Sequence, residues 1–363
     1  AIGVIEERPA SRFDARRRAR QAAEAVVAAL RSEGYYASTV EPDIGEGENP
    51  DALVRVTVGE RFRIAGAKVD WQGAAPTPEA QAKANQAQRL PDGAPGRSED
   101  VVEAEGRVVA AISSAGYADA RSEPREVIVD HADQSVWPTY RIASGPLVRL
   151  DGLQMETTGR TRRDWILRLA PWKEGDVYDP EDVAELERRL LDTGVYDSVT
   201  VAVAPPAQTT AEGLRPIVVS LADRPARTIE LGAGYSTSEG VGFEAEFNRY
   251  NRYGRGDTLT LATTLAQIER RVSGQLSLPH FRRAGRTLRL GTEIFQDETN
   301  AYDEAGLGVR AELEQRFGRS TFFTYGARAD LSQTNELGTE RNFFILTGIG
   351  GFNLDRSSDI LDP

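Results

Sequence analysis

Ile229-Glu230-Leu231-Gly232-Ala233-Gly234-Tyr235 places a non-polar side chain at every second position. A period of two marks a strand with one apolar face, and from here on helical spacing disappears. Leu259, Leu261 and Leu265 alternate with Thr260, Ala262 and Thr264, and Leu288, Leu290 and Ile294 with Arg289, Gly291 and Glu293. Leu307, Val309, Ala311 and Leu313 oppose Arg310, Glu312 and Glu314, while Phe323, Tyr325, Ala327, Ala329 and Leu331 oppose Thr324, Arg328 and Asp330. A soluble sandwich also alternates. Three features favour a membrane barrel instead: charges on the polar face of nearly every strand, strands of about 10 residues, and turns at 251–257 and 297–303 at hairpin spacing. About eight strands are expected between 227 and 354.

The rest of the chain is built differently. Its 363 residues carry 44 basic and 56 acidic side chains, a net charge of −12, which disfavours non-specific nucleic-acid binding. Among the basic residues only Lys68, Lys83 and Lys173 are lysine, cysteine is absent, and His131 and His280 are the two imidazoles. Thiolate chemistry is excluded, zinc and Ser-His sites lack parts, and no enzyme, cofactor or metal is expected. No run approaches the roughly 18 apolar residues of a membrane helix. The mean hydropathy of −0.44 does not argue against a barrel, whose faces average out.

An internal repeat organises the first 225 residues. Gly59-Glu60-Arg61-Phe62-Arg63-Ile64-Ala65-Gly66-Ala67-Lys68-Val69 aligns without a gap on Gly145-Pro146-Leu147-Val148-Arg149-Leu150-Asp151-Gly152-Leu153-Gln154-Met155. A glycine–aromatic point recurs at Gly34-Tyr35, Gly116-Tyr117 and, with one residue between, Gly194-Val195-Tyr196. Each closes a helical pattern, where glycine supplies a left-handed residue, and opens an alternating one. The helical faces are read as Ala22, Val26, Val27 and Leu30; Val101, Val109 and Ile112; and Val183, Leu186, Leu190 and Leu191. Strands are expected at 37–43, 52–58, 119–130, 137–143, 198–204 and 216–221, giving α+β modules of strand, helices, strand, strand.

These residues resemble the outer-membrane barrel assembly superfamily that includes BamA, TamA and the two-partner secretion transporters. The periplasmic polypeptide-transport-associated (POTRA) domains of that family have the order just derived. Val177-Tyr178-Asp179-Pro180-Glu181-Asp182-Val183-Ala184-Glu185-Leu186-Glu187-Arg188-Arg189-Leu190-Leu191-Asp192-Thr193-Gly194-Val195-Tyr196-Asp197-Ser198-Val199 is similar to the last POTRA. Asn248-Arg249-Tyr250-Asn251-Arg252-Tyr253-Gly254-Arg255-Gly256-Asp257 resembles the Asn-x-x-Gly-x-Gly hairpin, and Leu278-Pro279-His280-Phe281 the Pro-x-Phe strand end. Asp355-Arg356-Ser357-Ser358-Asp359-Ile360-Leu361-Asp362-Pro363 resembles a mid-barrel stretch.

The resemblance implies POTRA-like modules at 1–59 (N-terminally incomplete), 60–144 and 145–225, a count most like the TamA branch. The N-terminal half of an outer-membrane β-barrel follows at 226–363, with about eight transmembrane strands of an expected sixteen, so the chain is read as a fragment. It further implies residence in the outer-membrane bilayer with residues 1–225 in the periplasm, and unfolded outer-membrane-protein or autotransporter clients. A TamB-like inner-membrane-anchored partner on the first module is also implied.

The functional residues expected are Ile229, Glu230, Leu231, Gly232, Ala233, Gly234 and Tyr235, an edge strand able to pair with a client strand through main-chain hydrogen bonds. The competing readings are a two-partner-secretion-type transporter of one exoprotein, and a soluble adhesin sandwich. Tyr235, Tyr250, Tyr253, Phe322 and Phe323 are assigned to interfacial belts. Arg255-Gly256-Asp257 is read as turn chemistry.

Overall fold

In the computed structural model the Ser11 side chain accepts from the Asp14 N–H and starts helix α1 (Arg12–Ser32). The described residues are 9–47, 50–156, 159–236, 240–298, 303–317, 321–336 and 339–354; the 355–363 motif therefore lies outside them. Two compact units result, Ala1–Arg149 with Val177–Pro180, and Leu150–Asp176 with Glu181–Pro363.

In the first unit α1 packs on an antiparallel hairpin, β1 (Thr39–Ile44) and β2 (Ala52–Thr57). The buried stripe of α1 is Ala15, Ala19 and Ala23, whereas Ala22, Val26, Val27 and Leu30 are only half-buried. Methyl-sized side chains at i, i+4 let the helix axis approach the hairpin closely, which a search for large apolar residues passes over.

The chain continues through β3 (Arg63–Ile64), β4 (Lys68–Trp71), α2 (Pro78–Ala87), α3 (Ser98–Ser113), β5 (Arg121–Asp130) and β6 (Ser135–Ala143). Antiparallel β5 pairs along the whole of β6, so β3 and β4, both parallel to β6, share its other edge as one interrupted strand. The interruption explains Pro138 in a central strand. Pairing with β3 ends at Val136 and resumes with β4 at Thr139, so the proline, which has no N–H to give, faces the gap. Phe62, Ile64, Val136, Tyr140 and Ile142 are fully buried against α2 and α3, where Val108 and Ile112 of α3 are fully buried in turn. Each large apolar side chain so buried contributes roughly 1.5–3 kcal/mol.

The second unit opens with the same order: β7 (Arg149–Met155), α4 (Arg163–Leu167), α5 (Pro180–Leu191), β8 (Tyr196–Val203) and β9 (Leu214–Asp223). The last strand is again central, in the sheet order β7-β9-β8. Helix α5 buries Val183, Leu186 and Leu190, while Leu191 is exposed, one residue beyond the stripe assigned to it. Glu181 and Asp182 in its first turn and Arg188 and Arg189 in its last complement the helix dipole.

The sequence repeat is also a hydrogen-bond repeat. Phe62 N–H donates to Gly34 O and Gly96 N–H to Phe62 O; 82 to 86 residues later Val148 N–H donates to Gly116 O and Tyr178 N–H to Val148 O, all at 2.9–3.0 Å. Ile64 and Leu150 repeat the pattern, donating to Ala94 O and Asp176 O and accepting from Gly93 and Gly175, at 2.7–2.8 Å. Gly34 (φ 93°) and Gly116 (φ 101°) supply the left-handed residue that turns each helix into its joint.

Eight antiparallel strands complete the unit: β10 (Arg227–Ser236), β11 (Gly240–Tyr250), β12 (Thr258–Leu265), β13 (Glu269–Leu278), β14 (Arg286–Glu298), β15 (Asp303–Phe317), β16 (Thr321–Glu336) and β17 (Thr339–Leu354). Each pairs with its sequence neighbour. One rung of the ladder runs Leu231, Ala245, Thr263, Val272, Ile294, Leu307, Leu331, Phe344 across all eight. The adjacent rung runs Glu230, Glu246, Ala262, Ser273, Glu293, Gly308, Asp330, Ile345. One face is thus apolar and the other polar. A sandwich would bury the apolar face, yet Ile229, Leu231 and Leu346 are 70%, 79% and 70% exposed. A band of this extent is what a lipid-facing barrel wall presents.

The polar face is cross-linked by ion pairs. Arg271 bridges Glu269, Glu293 and Asp297, Arg328 joins Glu293 to Asp330, and Glu314 lies between Arg289 and Arg316. The proposed aromatic belt divides. Tyr235 and Phe323 lie on the apolar face at opposite ends, and Tyr253 stands exposed in the 251–257 turn. Tyr250 and Phe322 lie on the polar face, covered by Arg224 and Arg316 at 5.5 and 5.7 Å. An even–odd slip of one position decides which face an aromatic serves.

Candidate functional site at the edge of the first barrel strand

Strand β10 ends the eight-strand sheet. Ile229, Glu230, Leu231, Gly232, Ala233, Gly234 and Tyr235 face Phe247, Glu246, Ala245, Glu244, Phe243, Gly242 and Val241 of β11. The opposite side of β10 has no partner strand among the described residues. The seven residues singled out by alternation therefore stand together on one edge.

Two features make this edge thin. Neither Gly232 nor Gly234 adopts a left-handed backbone; a Cβ on Gly232 would meet Glu244 at 3.6 Å, ordinary contact, and one on Gly234 would meet nothing within 4 Å. With Gly240 and Gly242 they leave a cleft of about 390 Å³ on the polar face, floored by Thr264, Ala266 and Glu269. Glu230 also lies directly across from Glu246, and like charges in register weaken a strand pair.

The other end of β10 is held firmly. Arg224 N–H donates to Val195 O at 3.0 Å, and Tyr250 N–H to Ala226 O at 3.0 Å. Beside it the 251–257 turn is pinned to the preceding α+β module. Asn251, fully buried and at φ 51°, donates its amide to Thr161 Oγ1 at 2.7 Å and accepts from Gly256 N–H at 3.0 Å. Thr161 Oγ1 lies 2.5 Å from the Tyr196 hydroxyl, and Arg162 N–H donates to Gly254 O at 3.0 Å. Asp257 accepts from the N–H groups of Arg252 and Tyr253, so this aspartate is turn chemistry, as read from the sequence. Burial pushes the Tyr196 phenol up to about 12.

The next turn on the same side, 279–285, makes a second attachment. His280 Nδ1 accepts from Gly285 N–H at 3.0 Å, which leaves Nε2–H to donate to Arg189 O of α5 at 2.8 Å. Trp165 of α4 packs on its ring at 5.9 Å. Burial lowers the His280 pKa below the ordinary imidazole value. His280 and Arg282 hold positive φ angles of 53° and 61°, strain that these contacts stabilise. Sequence reasoning missed the roles of Thr161, Tyr196 and Trp165. The signal was the Asn-x-x-Gly-x-Gly motif itself, whose asparagine has more hydrogen-bonding capacity than a hairpin uses.

Comparison with known proteins agrees with this geometry. A POTRA family, described as surface antigen variable number repeat, matches residues 151–219. The outer membrane protein assembly factor BamA of Neorickettsia risticii (strain Illinois) is 28% identical over 131 residues, 36% of this chain and 17% of that relative. The chain thus spans well under two thirds of that BamA. BamA from Haemophilus ducreyi lacking POTRA domains 1–3 superposes with a TM-score of 0.67 at 16% identity, covering 83% of this chain and 61% of that one. CdiB from Acinetobacter baumannii gives a TM-score of 0.47 at 13% identity, over 81% and 63% of the two chains. Residues 151–219 are thus a POTRA domain, and the consecutive antiparallel sheet that follows, with its apolar outer and charged inner face, has the fold of the BamA barrel.

Proposed function

We propose that the chain belongs to an outer-membrane assembly factor that inserts β-barrel or autotransporter clients by offering β10 as a template. The observation that carries this reading is the edge itself. A ten-residue strand with an unpaired ladder among the described residues, two glycines without a packing reason and a like-charge rung holds its neighbour weakly. Main-chain hydrogen bonds accept any client sequence, and the alternating pattern of β10 asks only that the client present apolar residues to lipid. No nucleotide is consumed, since formation of the ladder and burial of the client in lipid supply the driving force.

In this reading the bilayer holds β10–β17, residues 1 to about 225 lie in the periplasm, and the α+β modules bind periplasmic partners, a TamB-like protein on the first. Single cysteines at Ile229 or Leu231 in the intact, active protein test it. Adducts with the terminal strand of a client are expected, and their persistent absence overturns the templating role. A dedicated secretion pore, which the charged inner face would also serve, is distinguished by single-channel conductance of the intact protein.

A further inference from the structure

Arginines gather where the apolar wall ends. Leu278 belongs to the lipid-facing row of β13 with Val272 and Leu276, whose partners on β14 are Ile294 and Leu290. Directly beyond it, Trp165, Leu169, Leu278, Pro279 and Phe281 floor a cleft of about 530 Å³, rimmed by Arg168, Arg255, Arg282 and Arg283. No carboxylate lines this cleft. Arg168 pairs with Asp164 at 3.3 Å on the exposed surface, Arg282 lies over the Phe281 ring at 5.3 Å, and Arg255 and Arg283 have no carboxylate partner among the described residues. In a chain of net charge −12, the guanidinium groups of Arg255, Arg282 and Arg283 around an apolar floor are a local reversal of sign that no carboxylate neutralises among the described residues.

We propose that this cleft binds the phosphodiester headgroup of an anionic phospholipid in the leaflet next to the α+β module. Guanidinium forks match phosphate oxygens in geometry and are weakly hydrated, so they bind a headgroup at low desolvation cost. The apolar floor is continuous with the lipid-facing wall through Leu278, so acyl chains lie along β13 while the phosphate meets Arg255, Arg282 and Arg283. The backbone here is fixed, because the 251–257 turn is held through Asn251 and Thr161 and the 279–285 turn through His280 and Arg189. A bound lipid would therefore touch both turns and α4 together.

The inference rests on the membrane placement of β10–β17, and is independent of client templating. The test reconstitutes the intact protein in nanodiscs of mixed phosphatidylglycerol and phosphatidylcholine and measures co-retained lipid by native mass spectrometry. The wild type is expected to retain phosphatidylglycerol preferentially. The triple variant Arg255→Ala, Arg282→Ala, Arg283→Ala is expected to lose roughly tenfold of that preference, and the matching lysine triple, which keeps the charge, to recover part of it. Equal retention of the two lipids, an unchanged alanine triple, or displacement by millimolar inorganic phosphate would each overturn the proposal, the last by making the site one for free phosphate. Failure of the wild type to enter nanodiscs would instead refute the membrane placement.

Discussion

Asn251 donates its side-chain amide to Thr161 Oγ1 at 2.7 Å, joining a barrel turn to the POTRA domain across 90 residues of sequence. Both groups are buried, and the Tyr196 hydroxyl completes the cluster at 2.5 Å from Thr161 Oγ1. Replacing Asn251 by Ala leaves Thr161 and the Gly256 N–H without that partner, at an expected cost of about 1–3 kcal/mol. Urea denaturation of the intact protein in detergent measures it. A double-mutant cycle with Thr161→Val should show coupling, whereas additive losses would mean that the two side chains act separately.

Gly254 in the 251–257 turn and Gly234 in β10 should respond differently to a side chain. Gly254 has φ 72°, and a Cβ there would sit 2.7 Å from Arg160 O, a backbone atom that cannot yield cheaply. Gly254→Ala is expected to destabilise by roughly 1–3 kcal/mol. Gly234→Ala meets open space and should change stability by less than about 0.5 kcal/mol. If the edge is a template, Gly234→Val should alter client adducts while thermal stability stays unchanged.

Acid should loosen the attachment at His280. Its folded pKa lies below the ordinary 6.5 because burial penalises the imidazolium, so the unfolded chain binds the proton more readily. Stability is then present above about 6.5 and falls as pH drops through the folded value. Protonating Nδ1 would also set an N–H against the Gly285 N–H that now donates to it. Stability measured at stepwise lower pH should decline below about 6.5, and His280→Gln should remove this part of the slope.

At the alkaline end Tyr140 and Tyr196 set the limit. Burial is the leading cause that raises both phenols to about 12 from 10. Stability is complete below the unfolded value near 10 and declines as pH rises towards 12. Ultraviolet titration should show these two tyrosines ionising after the exposed ones, and Tyr196→Phe should remove one late step.

The strands were legible because lipid and core impose a strict period of two, and each barrel strand has only one way to satisfy both its faces. The first helix was misread for the opposite reason: Ala15, Ala19 and Ala23 pack by being small, and hydropathy gives them little weight. Pro138 argues locally against a central strand, and becomes intelligible only once β3 and β4 are seen to leave a gap beside it. The edge residues 229–235 were visible in the sequence as a set. The cluster of Asn251, Thr161 and Tyr196 was not, since no local pattern brings positions 161 and 251 together.

The apolar band also travels along the ladder. On β10 it runs from Ile229 past the Leu231 rung to Tyr235, whereas on β17 it begins at Phe344 on that same rung and runs only the other way, to Leu354. Strands arranged so slant across the apolar band, as barrel shear requires. If β10 is a template, a newcomer at its edge would inherit that slant. It would be sorted by where its own apolar segment begins, so that a sequence-blind ladder would still set the correct depth.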